Sequence, residues 1–291
     1  MNLQQLSIDI EALMVERNLR HMAEIRGALT PGYYLRAAQL LESPGTVLIA
    51  TGFPVGQTFE TDGPLGAIAL YRSLEHLGAR CTIACADPLA GALESDFRVL
   101  RLEGFDHPSA QREAGRRLDE LRPDRIICIE RPGLAHDGRY YNMRGVDISS
   151  RCAIFDYYVT AGTCPSIGIG DGGNEIGMGA VRPVVETFDI VGAQTSCDEL
   201  LVADVSNWSA YGLITMLEAL SAEPLLEQID HHAILAYLSE RGSVDGVTGE
   251  NTLTEDGLPA DAGAALLREL SQRLGEARAD RSPANAAEPG G

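Results

Sequence analysis

Basic residues are scarce in this chain of 291 residues, which carries 23 Lys and Arg against 42 Asp and Glu. The resulting net charge of −19 repels the phosphate backbone of nucleic acids and the surface of anionic membranes. Long hydrophobic runs are also absent, since no stretch of 18 apolar residues is present that would cross a bilayer as a helix. We therefore expect a small molecule as the partner, and neither a nucleic acid nor a membrane.

The sequence lacks the signatures of several common enzyme and metal sites. It has no Walker A motif, no Gly-x-Ser-x-Gly nucleophile elbow and no HExxH zinc motif. The six cysteines form no CxxC pair and several lie in apolar runs, which favours buried free thiols over a zinc site. Free thiols, and an acidic N-terminus without the apolar core of a signal peptide, predict a cytoplasmic protein.

Short apolar, β-branched runs alternate with amphipathic segments along most of the chain. This alternation is typical of right-handed βαβ crossovers and a mostly parallel sheet. We predict an α/β fold with helices flanking the sheet in a Rossmann-like three-layer arrangement, plus extra N- and C-terminal helices. The predicted strands are 46–50, 80–86, 97–102, 125–129, 165–170 and 199–203, and the predicted helices are 3–27, 33–42, 65–77, 109–121, 148–161, 208–220 and 259–278.

The domain prediction is a single α/β unit over residues 1–280. It comprises a helical N-terminal segment, 1–43, and a catalytic core, 45–250. Residues 281–291 are rich in Ala, Pro and Gly, which predicts a disordered tail. Two helix starts are also predicted: Pro64 as a first helical residue, and Ser206 or Asn207 as an N-cap.

A glycine-rich stretch, 166–179, is the most distinctive part of the core. Six of its fourteen residues are glycine, and they surround Asp171, Asn174 and Glu175. Glycine allows a backbone to approach a ligand closely. The stretch also follows a predicted strand, and open parallel sheets bind ligands at the carboxyl ends of their strands. We therefore expect a site for a cation, or for a small polar ligand held partly by a cation.

The same stretch matches the Gly-x-Gly-x-x-Gly dinucleotide fingerprint at residues 168–173. However, Asp171 would place a negative charge where the pyrophosphate of a dinucleotide lies. The motif also comes late in the chain and not in the first βα unit. We therefore expect no nucleotide cofactor.

Acidic and amide side chains follow several of the predicted strands. Because the carboxyl ends of parallel strands share one edge, these carboxylates would repel one another unless a cation lies between them. Oxygen ligands without nearby His or Cys suit Mg²⁺, Mn²⁺ or Ca²⁺. The alternative for each acid taken alone is a helix cap or a turn former. The residues concerned are Glu60, Asp62, Glu130, Asp171, Glu175, Asp204 and Asn207.

The segment 130–147 is unusually polar for a connection between two apolar elements. Its arginines suit bidentate binding of a carboxylate or a phosphate, and its other polar side chains add hydrogen-bonding groups. The alternative is a long surface loop whose arginines balance local acids. The candidate residues are Arg131, Arg139, Arg144, Tyr140, Tyr141, Asn142 and, as a weaker candidate base, His136.

Six sequence blocks together resemble the D-glutamate cyclase family, a former domain of unknown function that also forms the C-terminal domain of a mitochondrial D-glutamate cyclase. The likeness covers roughly residues 45–250. It implies a lyase of D-amino acid metabolism that converts D-glutamate to 5-oxo-D-proline (pyroglutamate) and water. The blocks are TGFP (51–54), ETDGP (60–64), ERPG (130–133), YYNMR (140–144), the glycine-rich block 170–179, and SNW (206–208).

The acid pattern and the resemblance give a hypothesis for the site. Four acids would hold the metal or serve as the general base: Asp62, Glu130, Asp171 and Glu175. Six residues would bind or orient the substrate, with Arg131 or Arg144 on its α-carboxylate: Arg131, Tyr141, Asn142, Arg144, Asn174 and Asn207. Two alternatives stay open at this point, a Mg²⁺- or Mn²⁺-dependent phosphatase of small phosphoesters and a non-catalytic module that binds an amino acid or a metal. Assembly into a homo-oligomer is also left open.

Overall fold

A six-stranded parallel sheet lies at the centre of the computed structural model, which describes residues 1–279. Two short antiparallel hairpins, β2–β3 and β9–β10, accompany it. The predicted disordered tail, 281–291, lies outside the described residues. The strands are β1 (Thr46–Thr51), β2 (Pro54–Val55), β3 (Thr58–Phe59), β4 (Arg80–Cys85), β5 (Val99–Arg101), β6 (Arg125–Ile129), β7 (Ser166–Gly170), β8 (Glu199–Val202), β9 (Thr254–Glu255) and β10 (Leu258–Pro259).

Helices cover both faces of this sheet, which confirms the predicted three-layer α/β fold. Within the described residues they are α1 (Leu3–Met14), α2 (Met22–Gly27), α3 (Tyr33–Leu40), α4 (Pro64–His76), α5 (Leu89–Leu93), α6 (His107–Leu121), α7 (Asp156–Ala161), α8 (Arg182–Val185), α9 (Ser206–Ser221), α10 (His231–Ser239) and α11 (Ala260–Ala279). In the part of the chain that the structure describes, no helix is both long and apolar enough to span a membrane.

The central strand β1 shows why apolar, β-branched runs form the sheet. Its successive side chains point to opposite faces, so that Val47 and Ile49 lie in one apolar core while Leu48 and Ala50 lie in the other. All four side chains are at most 1% exposed. Burial of an aliphatic side chain contributes roughly 1.5–3 kcal/mol to folding, and only a strand covered on both faces gains this at every position.

Two helix predictions are wrong. The segment predicted as one helix, 3–27, is two helices, because residues 15–21 form a loop in which Asn18 and His21 have positive φ. The segment 148–161 is mostly irregular and contains only a short 3₁₀ turn, Ser149–Arg151, before α7. By contrast, α4 begins at Pro64 as predicted. All six cysteines are free; Cys164 and Cys197 are half-buried and the other four are buried.

The strand order positions the ligand site. The sheet runs β5-β4-β1-β6-β7-β8, so the chain moves outward from β1 in one direction and then returns to start again at β6. The loops after β1 and β6 therefore leave the sheet beside each other and diverge. In open parallel sheets the crevice at such a switch point, outside the carboxyl ends of the strands, is where ligands bind.

Candidate active site

Three carboxylates meet at this switch point. Glu130 and Asp171 directly follow β6 and β7, and Asp62 lies in the connection after β1, past the β2–β3 hairpin. One carboxylate oxygen from each lies within 4.8 Å of the other two, and the three residues are at most 6% exposed. The structure thus brings together three of the four acids that were predicted as metal ligands or base.

Asp62 is fixed by the N-terminus of α9. One of its oxygens accepts hydrogen bonds from the N–H groups of Gly63 (2.9 Å) and Asn207 (2.7 Å), and the other accepts from the N–H of Ser206 (2.9 Å). The N-cap position of α9 is Val205, whose side chain has no acceptor, so Asp62 satisfies these N–H groups from another segment. The prediction of Ser206 or Asn207 as the N-cap is therefore wrong.

Glu130 occupies a strained position at the end of β6. Its φ is +43°, which non-glycine residues adopt rarely and at a cost of order 1 kcal/mol. Its Oε2 accepts a hydrogen bond from the Ser206 hydroxyl at 2.6 Å. Its Cβ lies close to Gly63, where an added Cβ would come within 2.5 Å of it. Backbone strain and close packing together place this carboxylate beside Asp62.

Asp171 is paired with Arg20, a residue of the loop between α1 and α2. Arg20 Nη2 donates to Asp171 Oδ2 at 2.5 Å, and Arg20 Nε donates to the Asp171 carbonyl at 3.0 Å. The same guanidinium also forms an ion pair with Asp256, in the β9–β10 hairpin. Neither Arg20 nor Asp256 was predicted as a site residue.

Glu175 has a different role from the other three acids. Its carboxylate turns back into the glycine-rich loop and accepts hydrogen bonds from the N–H groups of Gly172 (2.7 Å), Gly173 (2.7 Å) and Asp171 (3.3 Å). A Cβ added to Gly172 would come within 2.9 Å of this carboxylate. Glu175 therefore stabilises the loop that carries Asp171, and it is not part of the three-carboxylate group.

Asn207 links segments behind the site. Its Oδ1 accepts from the N–H groups of Gly63 (2.9 Å) and Gly66 (2.7 Å), and its Nδ2 donates to Glu255 at 2.8 Å. Because Asn207 is fully buried and these bonds use both ends of its amide, it supports the loop after β1 and does not line the cavity described next.

A cavity of about 460 Å³ opens beside the three carboxylates; Glu130 and Asp171 line it, whereas Asp62 does not. Two buried oxygens of its lining residues, Glu60 Oε1 and Asn174 Oδ1, have no hydrogen-bond partner among the described residues. Buried polar atoms are nearly always paired, so these two are suited to a ligand. The polar lining residues are Arg20, Glu60, Glu130, Asn142, Arg144, Asp171, Asn174 and Asp256.

The predicted substrate-binding residues lie unevenly around this cavity. Asn142 and Arg144 line it, with Arg144 exposed at its mouth. Tyr141 does not line it; its hydroxyl donates to Asp137 at 2.6 Å, while its carbonyl accepts from Asn174 at 2.8 Å. The structure thus brings Asn142, Arg144 and Asn174 to the cavity and turns the Tyr141 side chain away.

Arg131 also lies outside this cavity. It is 4% exposed, and its guanidinium donates to the backbone carbonyls of Thr51 (3.4 Å), Gly52 (3.2 Å) and Ala153. A guanidinium held in this way ties together the loops after β1 and β6. The geometry therefore favours Arg144 over Arg131 as the arginine of segment 130–147 that can meet a ligand.

Burial changes the protonation of the clustered acids. Burial, together with the Asp256 carboxylate, raises the pKa of Asp62 to about 7. Burial and the neighbouring Glu175 raise the pKa of Glu130 well above its usual range, and burial does the same for the pKa of Asp171 despite the Arg20 guanidinium. Ionising all three carboxylates is costly without a cation. Three hard oxygen donors, one each from Asp62, Glu130 and Asp171, fit a divalent cation such as Mg²⁺ or Mn²⁺.

These pKa shifts predict a pH dependence of stability. The pKa of Glu255 is also raised by burial, to about 8. Carboxyls with raised pKa values keep protons in the folded state that the unfolded chain releases, so the stability they contribute is lost as pH rises through about 7 to 8. Metal-free protein should therefore melt several degrees lower at pH 8.5 than at pH 6.5, as measured by calorimetry in a chelator. His231 does not disturb this comparison, because burial lowers its pKa to about 4 and it opposes the trend only below pH 6.5.

Saturating Mg²⁺ or Mn²⁺ should reduce this dependence to the part that Glu255 contributes, because a bound cation keeps the three carboxylates ionised at every pH in the range. A metal-free melting temperature that rises from pH 6.5 to pH 8.5 would contradict the prediction.

The fold and the site thus define an α/β protein whose sheet has the Rossmann strand order and whose switch point carries a buried acidic pocket that can hold a metal. A family model described as D-glutamate cyclase-like, C-terminal, matches residues 10–271. The chain therefore belongs to the D-glutamate cyclase-like family. It is 34% identical to the human protein named D-glutamate cyclase, mitochondrial, over 211 residues, which are 63% of this chain and 34% of the relative. The chain spans about a third of the length of that curated relative.

Proposed function

We propose that this protein is a carbon–oxygen lyase that converts D-glutamate to 5-oxo-D-proline and water with the help of a divalent metal. The observation that carries the proposal is the group of three buried carboxylates at the switch point, in a chain of the D-glutamate cyclase-like family. The curated relative whose name states this activity supports the choice of substrate.

The reaction joins the α-nitrogen of glutamate to the carbon of its γ-carboxyl group and breaks one carbon–oxygen bond of that same group. The α-ammonium keeps one of its three protons in the product amide, and the other two leave with the departing oxygen as water. The reaction therefore needs a group that takes a proton from nitrogen and a group that gives one to oxygen. Glu60, with its unpaired Oε1 at the same cavity, is placed to exchange such a proton.

The metal would be held by Asp62, Glu130 and Asp171. When bound, a divalent cation polarises a carboxylate, which is otherwise a poor electrophile. The chain's own contribution is to fix these three ligands: Asp62 through the N-terminus of α9, Glu130 through Ser206, and Asp171 through Arg20. Glu175 does not hold the metal itself and instead stabilises the loop that carries Asp171.

The charge of the cavity favours an amino acid over a phosphomonoester. Four carboxylates line it, against two arginines, one of which is already paired with Asp171 and Asp256. When a metal neutralises Glu130 and Asp171, the remaining lining acids, Glu60 and Asp256, can meet the ammonium of an amino acid, a group that a phosphomonoester lacks. The phosphatase alternative therefore has less support, and a module that only binds its ligand would not need the proton exchange that Glu60 offers.

Turnover by purified, metal-stripped protein tests the proposal. D-glutamate, L-glutamate and a chromogenic phosphomonoester would be incubated separately, with and without Mg²⁺ or Mn²⁺. We expect 5-oxoproline from D-glutamate in the presence of metal and little without it. Phosphate release without loss of D-glutamate would support the metal site but refute the proposed reaction. Ligand-induced stabilisation without turnover would favour the binding module. The cytoplasmic location, the absence of a nucleotide cofactor and the lack of nucleic-acid or membrane partners stay predictions.

A further inference from the structure

Arg20 is the most firmly held cation at the cavity. Its Nε and Nη2 donate to Asp171, and Nη2 also donates to the Asp204 carbonyl at 2.8 Å and to the Asp256 carboxylate. These partners lie in the loop after β7, the loop after β8 and the β9–β10 hairpin. One edge of the guanidinium is thus fixed by three separate segments.

The backbone that carries Arg20 is fixed as well. The Asp204 carboxylate accepts hydrogen bonds from the N–H groups of Arg17 (2.8 Å) and Leu19 (3.0 Å), and the Asp204 N–H donates to the Met14 carbonyl at 2.7 Å. Asp204, which was predicted only as one of the acids at the sheet edge, therefore holds the loop between α1 and α2 against the end of β8.

The other edge of the guanidinium is open. Within residues 1–279, Arg20 Nη1 makes no hydrogen bond, while the side chain lines the cavity and keeps 19% of its surface exposed. The guanidinium is a rigid fork of donors, and with Nε and Nη2 engaged it still offers the two N–H groups of Nη1 to a carboxylate. Because the rest of this side chain is already ordered, binding an anion at Nη1 costs little further side-chain entropy.

We propose that Arg20, through Nη1, binds the α-carboxylate of the substrate. This inference rests on the proposed function and adds to it the residue that recognises the α-carboxylate, the group that all α-amino acids share. The sequence-predicted candidate Arg144 is exposed on a loop, and its guanidinium has no partner among the described residues, so it must be ordered when a ligand binds. Since acids surround Arg20, anion binding at Nη1 follows loading of the three carboxylates with metal.

The test compares two ligands that differ only in this carboxylate: 5-oxo-D-proline and 2-pyrrolidinone, the same ring without it. Both are titrated by NMR or calorimetry into Mn²⁺-loaded wild type and into Arg20→Lys, which keeps the positive charge and loses the fork. We expect Arg20→Lys to weaken the binding of 5-oxo-D-proline by roughly 10-fold or more. The affinity for 2-pyrrolidinone should change by less than about 3-fold.

Two further variants serve as comparisons. Arg36→Lys, in an ion pair with Glu199 away from the cavity, should leave both affinities unchanged. Arg144→Gln should reduce the affinity for 5-oxo-D-proline less than Arg20→Lys does. Equal binding of 5-oxo-D-proline by wild type and Arg20→Lys, or a larger loss in Arg144→Gln, would overturn the assignment of Arg20 alone.

Wild type that binds neither ring and does not turn over D-glutamate would overturn the proposed function together with this inference. If Arg20→Lys does not fold, a crystal structure of wild type with 5-oxo-D-proline decides. A carboxylate oxygen within about 3 Å of Arg20 Nη1 would support the proposal, and a carboxylate bound elsewhere would refute it.

Discussion

Replacing Glu130 with glutamine should lower kcat/KM for D-glutamate by roughly 10²- to 10³-fold, the loss typical when one preorganised electrostatic group is removed from an active site. Glutamine has nearly the same shape and can still accept the hydrogen bond from Ser206. It cannot contribute the negative charge that the group with Asp62 and Asp171 offers to a divalent cation. The same change should therefore remove most of the thermal stabilisation that Mg²⁺ or Mn²⁺ gives to the wild type.

A second buried glutamate provides the matched control. Glu218 is 7% exposed and accepts hydrogen bonds from the N–H groups of Leu225 and Leu226, away from the cavity. Glu218→Gln should lower the melting temperature equally with and without metal and leave kcat/KM near the wild-type value. If Glu130→Gln kept both its metal-induced stabilisation and its turnover, the three-carboxylate site would be refuted.

The sheet was predictable because its signal is local. A run such as 125–129 is apolar at almost every position, as a strand covered on both faces must be, and the structure contains β6 at those residues. The loop at 15–21 was not predictable in the same way. Apolar spacing continues through it, and what interrupts the helix is the anchoring of Arg17 and Leu19 to Asp204, which is distant in sequence.

The same distinction separates the acids of the site. Asp62, Glu130 and Asp171 each follow a parallel strand, and this position alone predicts that they share one edge of the sheet. Whether a nearby acid faces the cavity or its own backbone depends on the conformation of its loop. Glu175 faces its backbone because successive glycine N–H groups converge on it, which the spacing of residues does not reveal.

Arg20 and Asp256 had no signal in the sequence. They are separated by 236 residues, and each reaches the site through tertiary packing of segments outside the sheet. A single sequence shows which residue types follow a strand, but it does not show which distant side chain supplies the compensating charge. The cluster of acids indicated only that some cation must compensate the buried carboxylates, and not which residue supplies it.

Gly63→Ala should destabilise the protein by about 3 kcal/mol, lowering the melting temperature by roughly 6 °C or more. Gly63 has a φ of +88°, which costs an L-residue roughly 1–2 kcal/mol. A Cβ there would also lie 2.5 Å from the Glu130 Cβ and 2.9 Å from Thr51 Oγ1, so the loops after β1 and β6 must separate. Since Glu130 moves with its loop, metal binding should weaken in the same variant.

Gly78→Ala is a control that separates the effect of the positive φ from the effect of the steric contact at Gly63. Gly78 has the same φ, +88°, but nothing lies within 4 Å of the position its Cβ would take. This control should therefore cost only the conformational part, roughly 1–2 kcal/mol, and leave metal binding unchanged. The difference between the two variants, measured as free energies of unfolding with and without Mn²⁺, gives the contribution of the close approach between Gly63 and Glu130. Equal losses in both variants would mean that this close approach has no part in holding the carboxylates together.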